Sequence, residues 1–205
     1  MMSAETWFAF CLYVFTTSIT PGPNNTMMLA SGVNFGLSKS IPHMLGITAG
    51  FCLMVLLMGL GLGAVFTEVP QLYSLLRWLG AAYMLYLAWK IFNSKPIADN
   101  SSNSSNASTD RPMRFLGAAA FQWINPKAWV IALGAVTTYL PAQHSFWQLL
   151  VLVLVLGLIN FPSTGSWALF GSSMRRFLQN PKFLRLFNAV AAFALVLSLY
   201  PLLKS

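Results

Sequence analysis

Thr20-Pro21-Gly22-Pro23-Asn24-Asn25 and Asn125-Pro126-Lys127 each interrupt an otherwise apolar stretch of this 205-residue chain. Proline has no backbone N–H, and its ring clashes with the carbonyl four residues earlier, so a helix cannot pass undisturbed through either motif. Gly22, set between two prolines, loosens the backbone further. Hydrocarbon cannot satisfy the peptide groups that such a break releases. Broken helices persist in a bilayer only where they are buried in protein or line a cavity. One break in each half of a chain points to a transporter's binding site.

Composition favours a membrane setting. The chain is 57% hydrophobic and 8% charged, with a mean hydropathy of +0.65, whereas soluble domains are about 25% charged. A formal net charge of +8 could suggest nucleic acid, but the Lys and Arg residues gather at the ends of apolar segments, as topology signals do. Nucleic acid is therefore not an expected partner; the lipid bilayer is.

Apolar length gives six segments near 7–29, 44–66, 73–92, 115–139, 147–170 and 186–203, each close to the ~20 residues that a spanning helix needs. Between the third and fourth lies SKPIADNSSNSSNASTD, residues 94–110, a Ser/Asn-rich run too polar to order itself. The expected organisation is a first three-helix repeat over 1–93, a flexible linker over 94–114 and a second three-helix repeat over 115–205. The first, third and fifth loops with their helix ends hold Lys39, Lys90, Lys95, Arg111, Arg114, Arg175, Arg176, Lys182 and Arg185. The opposite side holds Arg77 and Lys204. The odd loops are then cytoplasmic and both termini lie outside. On this topology the N-x-S/T triplets at Asn100, Asn103 and Asn106 are products of composition, not glycan sites. Glu5 in place of a basic leader makes the first stretch a transmembrane helix rather than a cleaved signal.

The predicted fold is an all-α membrane protein of two inverted three-helix repeats, with helices 1 and 4 broken near the midplane. At 1.5 Å per residue, both breaks lie roughly 16–21 Å into the bilayer, where they should meet. Carbonyls freed around residues 17–19 can accept from an ammonium group. The N–H groups of Asn24, Asn25 and Thr26, opening a new half-helix, favour a carboxylate. A zwitterionic amino acid carries both charges.

Lys127 is an ionisable residue within a span, which costs roughly 2.5–3.5 kcal/mol and marks a functional candidate. Its expected role is pairing with a substrate carboxylate, with Asn125 orienting it or the substrate. The structural alternative is that Lys127 caps freed carbonyls or snorkels toward water. The candidate substrate-binding set is Thr20, Pro21, Gly22, Pro23, Asn24, Asn25, Asn125, Pro126, Lys127 and Asn160. Asn160 belongs to a polar cluster with Pro162, Ser163, Thr164 and Ser166, and either faces the cavity or bonds between helices. Pro162 is expected to kink the fifth span and free the carbonyl near Leu158.

Glu5, Glu68, Asp99 and Asp110 all lie in loops or near segment ends. Without a carboxylate deep in a span, neutral substrates are favoured over lysine or arginine, and no carboxylate proton relay is legible. Gly46, Gly50, Gly59, Gly61 and Gly63 suggest close helix packing, and Trp7, Tyr73, Trp78, Trp89 and Trp147 suggest interface anchors. No cofactor or metal site is indicated: Cys11 and Cys52 lack CxxC spacing, and His43 and His144 are far apart in expected loops.

Further blocks accompany the two motifs: SGVNFGLSKSIPHMLGITAGF, RWLGAAYMLYLAWK, FQWINPKAWVIALGA and MRRFLQNPKFLRLFN. Together with TPGPNN they resemble the LysE/RhtB family of bacterial amino-acid exporters over nearly the whole chain, the Ser/Asn linker excepted. The resemblance implies export of amino acids across the inner membrane, driven by the proton-motive force, in a family that handles lysine, arginine, homoserine, threonine, leucine and cysteine. The chain is more similar to the neutral-substrate, RhtB-type branch. The family's motif residues fall on residues 20–25 and 125–127. The linker is longer than is usual in the family.

The expected function is thus secondary export of a small neutral amino acid or derivative, not an enzymatic reaction, with a proton as coupling ion. The oligomeric state, a homodimer included, is left open. A transmembrane thiol–disulfide carrier would want one cysteine in each half, but Cys11 and Cys52 share the first. A divalent-metal exporter would want a ligand cluster that the sequence does not show.

Overall fold

A computed structural model describes residues 2–62, 70–94, 112–174, 180–197 and 199. The described residues are helical, without a strand. The helices are α1 (Ala4–Ile19), α2 (Pro23–Phe35), α3 (Leu37–Leu57), α4 (Pro70–Phe92), α5 (Phe115–Phe121), α6 (Pro126–Tyr139), α7 (Phe146–Met174) and α8 (Pro181–Leu197). A π-helical turn, Met58–Leu62, extends α3, and a 3₁₀ turn, Gln122–Ile124, extends α5. Most of the expected linker, the Arg175 and Arg176 pair, Glu68 and Lys204 lie outside the described residues.

Both proline motifs end one helix and start another. α1 stops at Ile19, residues 20–22 are not helical, and Pro23 takes the first position of α2, where a missing N–H costs nothing. α5 tightens into its 3₁₀ turn, Asn125 is extended, and Pro126 takes the first position of α6. Pro162 behaves differently. It sits inside an uninterrupted 29-residue α7, so the expected local opening at Leu158 does not become a break.

Helix contacts fix the packing directions. α3 runs antiparallel to α7: a Cβ on Gly59 would meet Leu149, Cys52 bonds the Val153 carbonyl, and Thr48 bonds Asn160. α1 and α6 are also antiparallel, with Tyr13 on the Ile131 carbonyl and Thr20 on Lys127. α3 and α5 run parallel, Gly46 lying against Phe115 and Gly50 against Ala119. Gly32 lies on the Ala168 carbonyl and Gly171 on the Leu29 carbonyl, so α2 and α7 touch backbone to backbone. Small residues permit this approach, and close packing substitutes for a hydrophobic drive between helices in lipid. Gly61 departs from the packing role expected of it: it has φ 106°, no described residue lies near it, and it kinks the π turn from within. Gly63 lies outside the described residues.

One apolar cluster joins α1, α3, α6 and α7 through Phe10, Val14, Phe51, Met54, Ala132, Leu149 and Leu156. Another joins α2, α4, α5 and α8 through Met27, Met84, Leu87, Phe121 and Leu195. Large apolar side chains also cover the outside: Phe8 is 73% exposed, Leu116 76%, Leu158 75% and Trp147 71%. Such a surface suits hydrocarbon rather than water. By length and composition, Leu37–Leu62 and Phe146–Met174 can each cross a membrane.

Candidate functional site

The chain turns off the helical path after Ile19 and leaves the last carbonyls of α1 without intrahelical partners. Side chains take those of Ser18 and Ile19, and the Thr20 and Pro21 carbonyls just beyond. Asn25 Nδ2 donates to the Ser18 and Thr20 carbonyls at 2.7 and 2.8 Å. Trp167 Nε1 on α7 donates to the Ile19 carbonyl at 3.1 Å. Lys127 Nζ, arriving from the other break, donates to the Thr20 carbonyl at 2.6 Å and to Pro21 at 3.3 Å. A cation on the carbonyl end of a helix faces the negative pole of its dipole. The Thr20 hydroxyl turns back onto the Thr16 carbonyl.

The two breaks therefore meet, and Lys127 is the link. The sequence suggested the carbonyls of residues 17–19 for a substrate ammonium; Asn25 and Trp167 take those of Ser18 and Ile19, and the lysine ammonium takes the next two, Thr20 and Pro21. Gly22 makes room for it: a Cβ there would lie 2.7 Å from Lys127 Cδ and 3.1 Å from Nζ. The φ of Gly22 is 179°, which any residue adopts, so the demand is for space alone.

Asn125 works on the backbone. Its Oδ1 accepts from the Lys127 N–H at 3.2 Å and caps α6. The same tripeptide recurs as Asn180-Pro181-Lys182, where Asn180 Oδ1 accepts from the Lys182 N–H at 2.9 Å. Asn-Pro-Lys is thus a helix-start device in this chain. Only the burial and partners of the first copy make its lysine distinctive. Downstream of the first break, the Thr26 N–H bonds the Gly22 carbonyl and is not free for an anion, contrary to the expectation for that half-helix.

Asn24 pairs with Gln122 through both amide groups, Nδ2 to Oε1 at 2.8 Å and Nε2 to Oδ1 at 3.1 Å. Gln122 also donates to the Ala118 carbonyl. Asn160 Nδ2 donates to Ser18 Oγ at 3.1 Å, and its Oδ1 accepts from Thr48 at 3.2 Å. It bonds between helices and also lines a cavity of about 30 Å³ with Ser18, Asn25, Asn125, Lys127 and Thr164. That space holds about one water molecule.

The structure gathers Thr20, Pro21, Gly22, Asn24, Asn25, Asn125, Lys127 and Asn160 at one place, with Pro23 and Pro126 starting the helices that carry them. Thr20 and Pro21 are exposed, while Asn25, Asn125 and Asn160 are buried. Sequence reasoning missed Gln122, Ser18, Thr48 and Trp167. Gln122 left a signal, a lone amide in an apolar stretch four residues before Pro126. Trp167 left none, because its indole N–H matters only through packing. His43, expected in a loop, is inside α3 and 2% exposed, because the helix begins at Leu37 instead of near residue 44. Among the described residues no group of His, Cys, Asp or Glu could hold a metal ion.

The profile described as LysE type translocator matches residues 15–200. The "Cysteine/O-acetylserine efflux protein" of Salmonella typhimurium (strain LT2) is 32% identical over 190 residues, 92% of this chain and 92% of the relative. Its namesake in Klebsiella pneumoniae is 32% identical over 170 residues, 82% of this chain and 83% of the relative. That of Escherichia coli O6:K15:H31 is 31% identical over 190 residues, 92% of each. No solved structure matches the chain. A profile match from the end of α1 through both breaks and the other seven described helices, with these relatives, places the chain in the LysE translocator family, as a membrane transporter and not an enzyme.

Proposed function

We propose that this protein is a secondary active exporter of a small neutral amino acid or derivative, of the cysteine and O-acetylserine kind that its relatives' names carry. One observation supports the site: Lys127 Nζ crosses from the second break to the Thr20 and Pro21 carbonyls of the first. In this arrangement the lysine closes the site. A substrate ammonium competes for the same carbonyls, and the displaced Lys127 then meets the substrate carboxylate. Two charge-assisted contacts replace two, so the exchange costs little.

The alternating helix directions support six passages arranged as inverted repeats, with the breaks at the repeat interface. Lys39, Lys90 and Arg114 near the odd-numbered loops support a cytoplasmic placement of that side and external termini. Driving export with a proton gradient is part of the same reading, with no residue assigned to carry the proton.

The test is an export screen in cells preloaded with each of the twenty amino acids, homoserine and O-acetylserine. Faster appearance outside of cysteine, O-acetylserine or another small neutral member, abolished by a protonophore, is the expected result. Export of none of them at normal protein levels would end the proposal.

A further inference from the structure

The 30 Å³ space at the breaks is far smaller than an amino acid, but another cavity of about 360 Å³ lies at the other end of α2. Its walls come from α2 (Met27, Ala30, Ser31, Asn34), His43 of α3, the second half of α4 (Tyr83, Tyr86, Lys90) and residues 112–114. The volume falls in the range of small-molecule sites, roughly 300–1,000 Å³. Exposed Arg114 and Tyr86 in its lining bring it to the surface.

Two groups in this wall are nearly fully buried yet unsatisfied. His43 is 2% exposed and Asn34 4%. Neither ring nitrogen of His43 has a hydrogen-bond partner among the described residues, and neither has Asn34 Oδ1. An unpaired buried polar atom is costly to the fold, a cost that a bound ligand removes. The orientation of Asn34 is set by its neighbours. Its Nδ2 donates to the Ala30 carbonyl at 2.8 Å and to Asn188 Oδ1 at 3.1 Å, while Asn188 Nδ2 donates to the Ser94 carbonyl at 3.0 Å. Carbonyls accept only, so both amides are fixed and Asn34 is left with a bare acceptor. Lys90 and Arg114 supply positive charge in the same lining, which among the described residues contains no carboxylate. Tyr83, Tyr86 and Met27 supply an apolar wall.

We propose that this cavity is the loading site, which takes the amino acid as a zwitterion before it reaches the breaks. Asn34 Oδ1 accepts from the substrate ammonium, His43 bonds its polar end, and Lys90 and Arg114 draw the carboxylate. A neutral side chain lies against the tyrosines and Met27. The site rests on the export reading above, and it occupies the side where an exporter meets its cargo.

Two measurements test it: uptake of reduced, radiolabelled L-cysteine by inside-out membrane vesicles, and equilibrium binding of the same probe to the full chain in nanodiscs. Asn34→Leu and His43→Leu should each raise KM and weaken binding by about tenfold or more, the loss of a hydrogen bond to a charged group. Vmax per protein should change less than about twofold; His43→Leu leaves no partner unpaired, whereas Asn34→Leu strips Asn188 Oδ1 of its donor, so its rates are read per protein present. His43→Gln, which keeps a donor and an acceptor, should recover much of the affinity. Lys127→Met should do the opposite, lowering Vmax while binding persists. Unchanged KM and binding in both leucine variants, or a fall in Vmax alone, overturns the site. Should the leucine variants fail to accumulate, Ala30→Phe fills the cavity with every polar group kept, and an unchanged KM there overturns it equally. Wild-type vesicles that move no amino acid sink the exporter reading itself, whereas cavity variants with wild-type kinetics sink the loading site alone.

Discussion

The side-chain amides of Asn24 and Gln122 bond each other twice, at 2.8 and 3.1 Å, and so tie the start of α2 to the last turn before the second break. Gln122 is 0% exposed, so a missing partner leaves a buried amide unpaired. Asn24→Leu or Gln122→Leu alone should each destabilise the detergent-purified protein by about 1–3 kcal/mol. The double variant should cost less than the sum of the singles, because no orphan remains. Thermal unfolding of the set measures this, and strict additivity would show that the pair is not coupled.

Lys127 joins the breaks through its ammonium, and its cap on α6 is made by the backbone. Lys127→Met therefore keeps the Asn125 cap and loses the crossing. Export should fall by at least about tenfold, the scale of one charged hydrogen bond, at near-normal membrane levels. Lys127→Arg should restore little, since a planar fork cannot replace a compact ammonium in this corner. Export assays with immunoblotting check both.

Gly22→Ala tests the same contact without removing the charge. The added methyl would meet the flexible tail of Lys127 instead of rigid backbone, so folding should suffer little while the ammonium is displaced. Export reduced about as much as in Lys127→Met, with an unchanged melting temperature, is the expected pattern. Full activity would mean that the lysine need not sit on those carbonyls.

Gly32 and Gly171 face backbone across the α2–α7 contact, where nothing can yield. Alanine at either position should cost about 1–3 kcal/mol by overpacking, read as lower accumulation and a lower melting temperature. Gly61→Ala meets none of the described residues but a φ of 106°, so its cost should be near 1 kcal/mol from backbone strain.

Cys52 Sγ lies 3.6 Å from the Val153 carbonyl and close against Gly157, while Cys11 is half-buried on α1. Replacing both by Ala should leave export within about twofold, the effect expected of small buried hydrophobes. Loss of all activity would revive a thiol-based mechanism.

The sequence by itself determined that the chain is helical and apolar, and that helices end at the two motifs, residues 20–25 and 125–127. There a proline without an N–H follows a residue suited to a helix start and acts locally, whereas the lone Pro42 and Pro162 stay inside helices held by their packing. Lys127 was legible for the same reason: a charge among apolar neighbours costs energy and asks for a partner. What the tertiary structure decided was the identity of the partners. Gln122 against Asn24, Trp167 on Ile19 and the unsatisfied Asn34 and His43 depend on which helix faces lie together. Hydrogen bonds are short and directional, so pairs separated by a hundred residues follow from packing and leave no periodic trace in the chain.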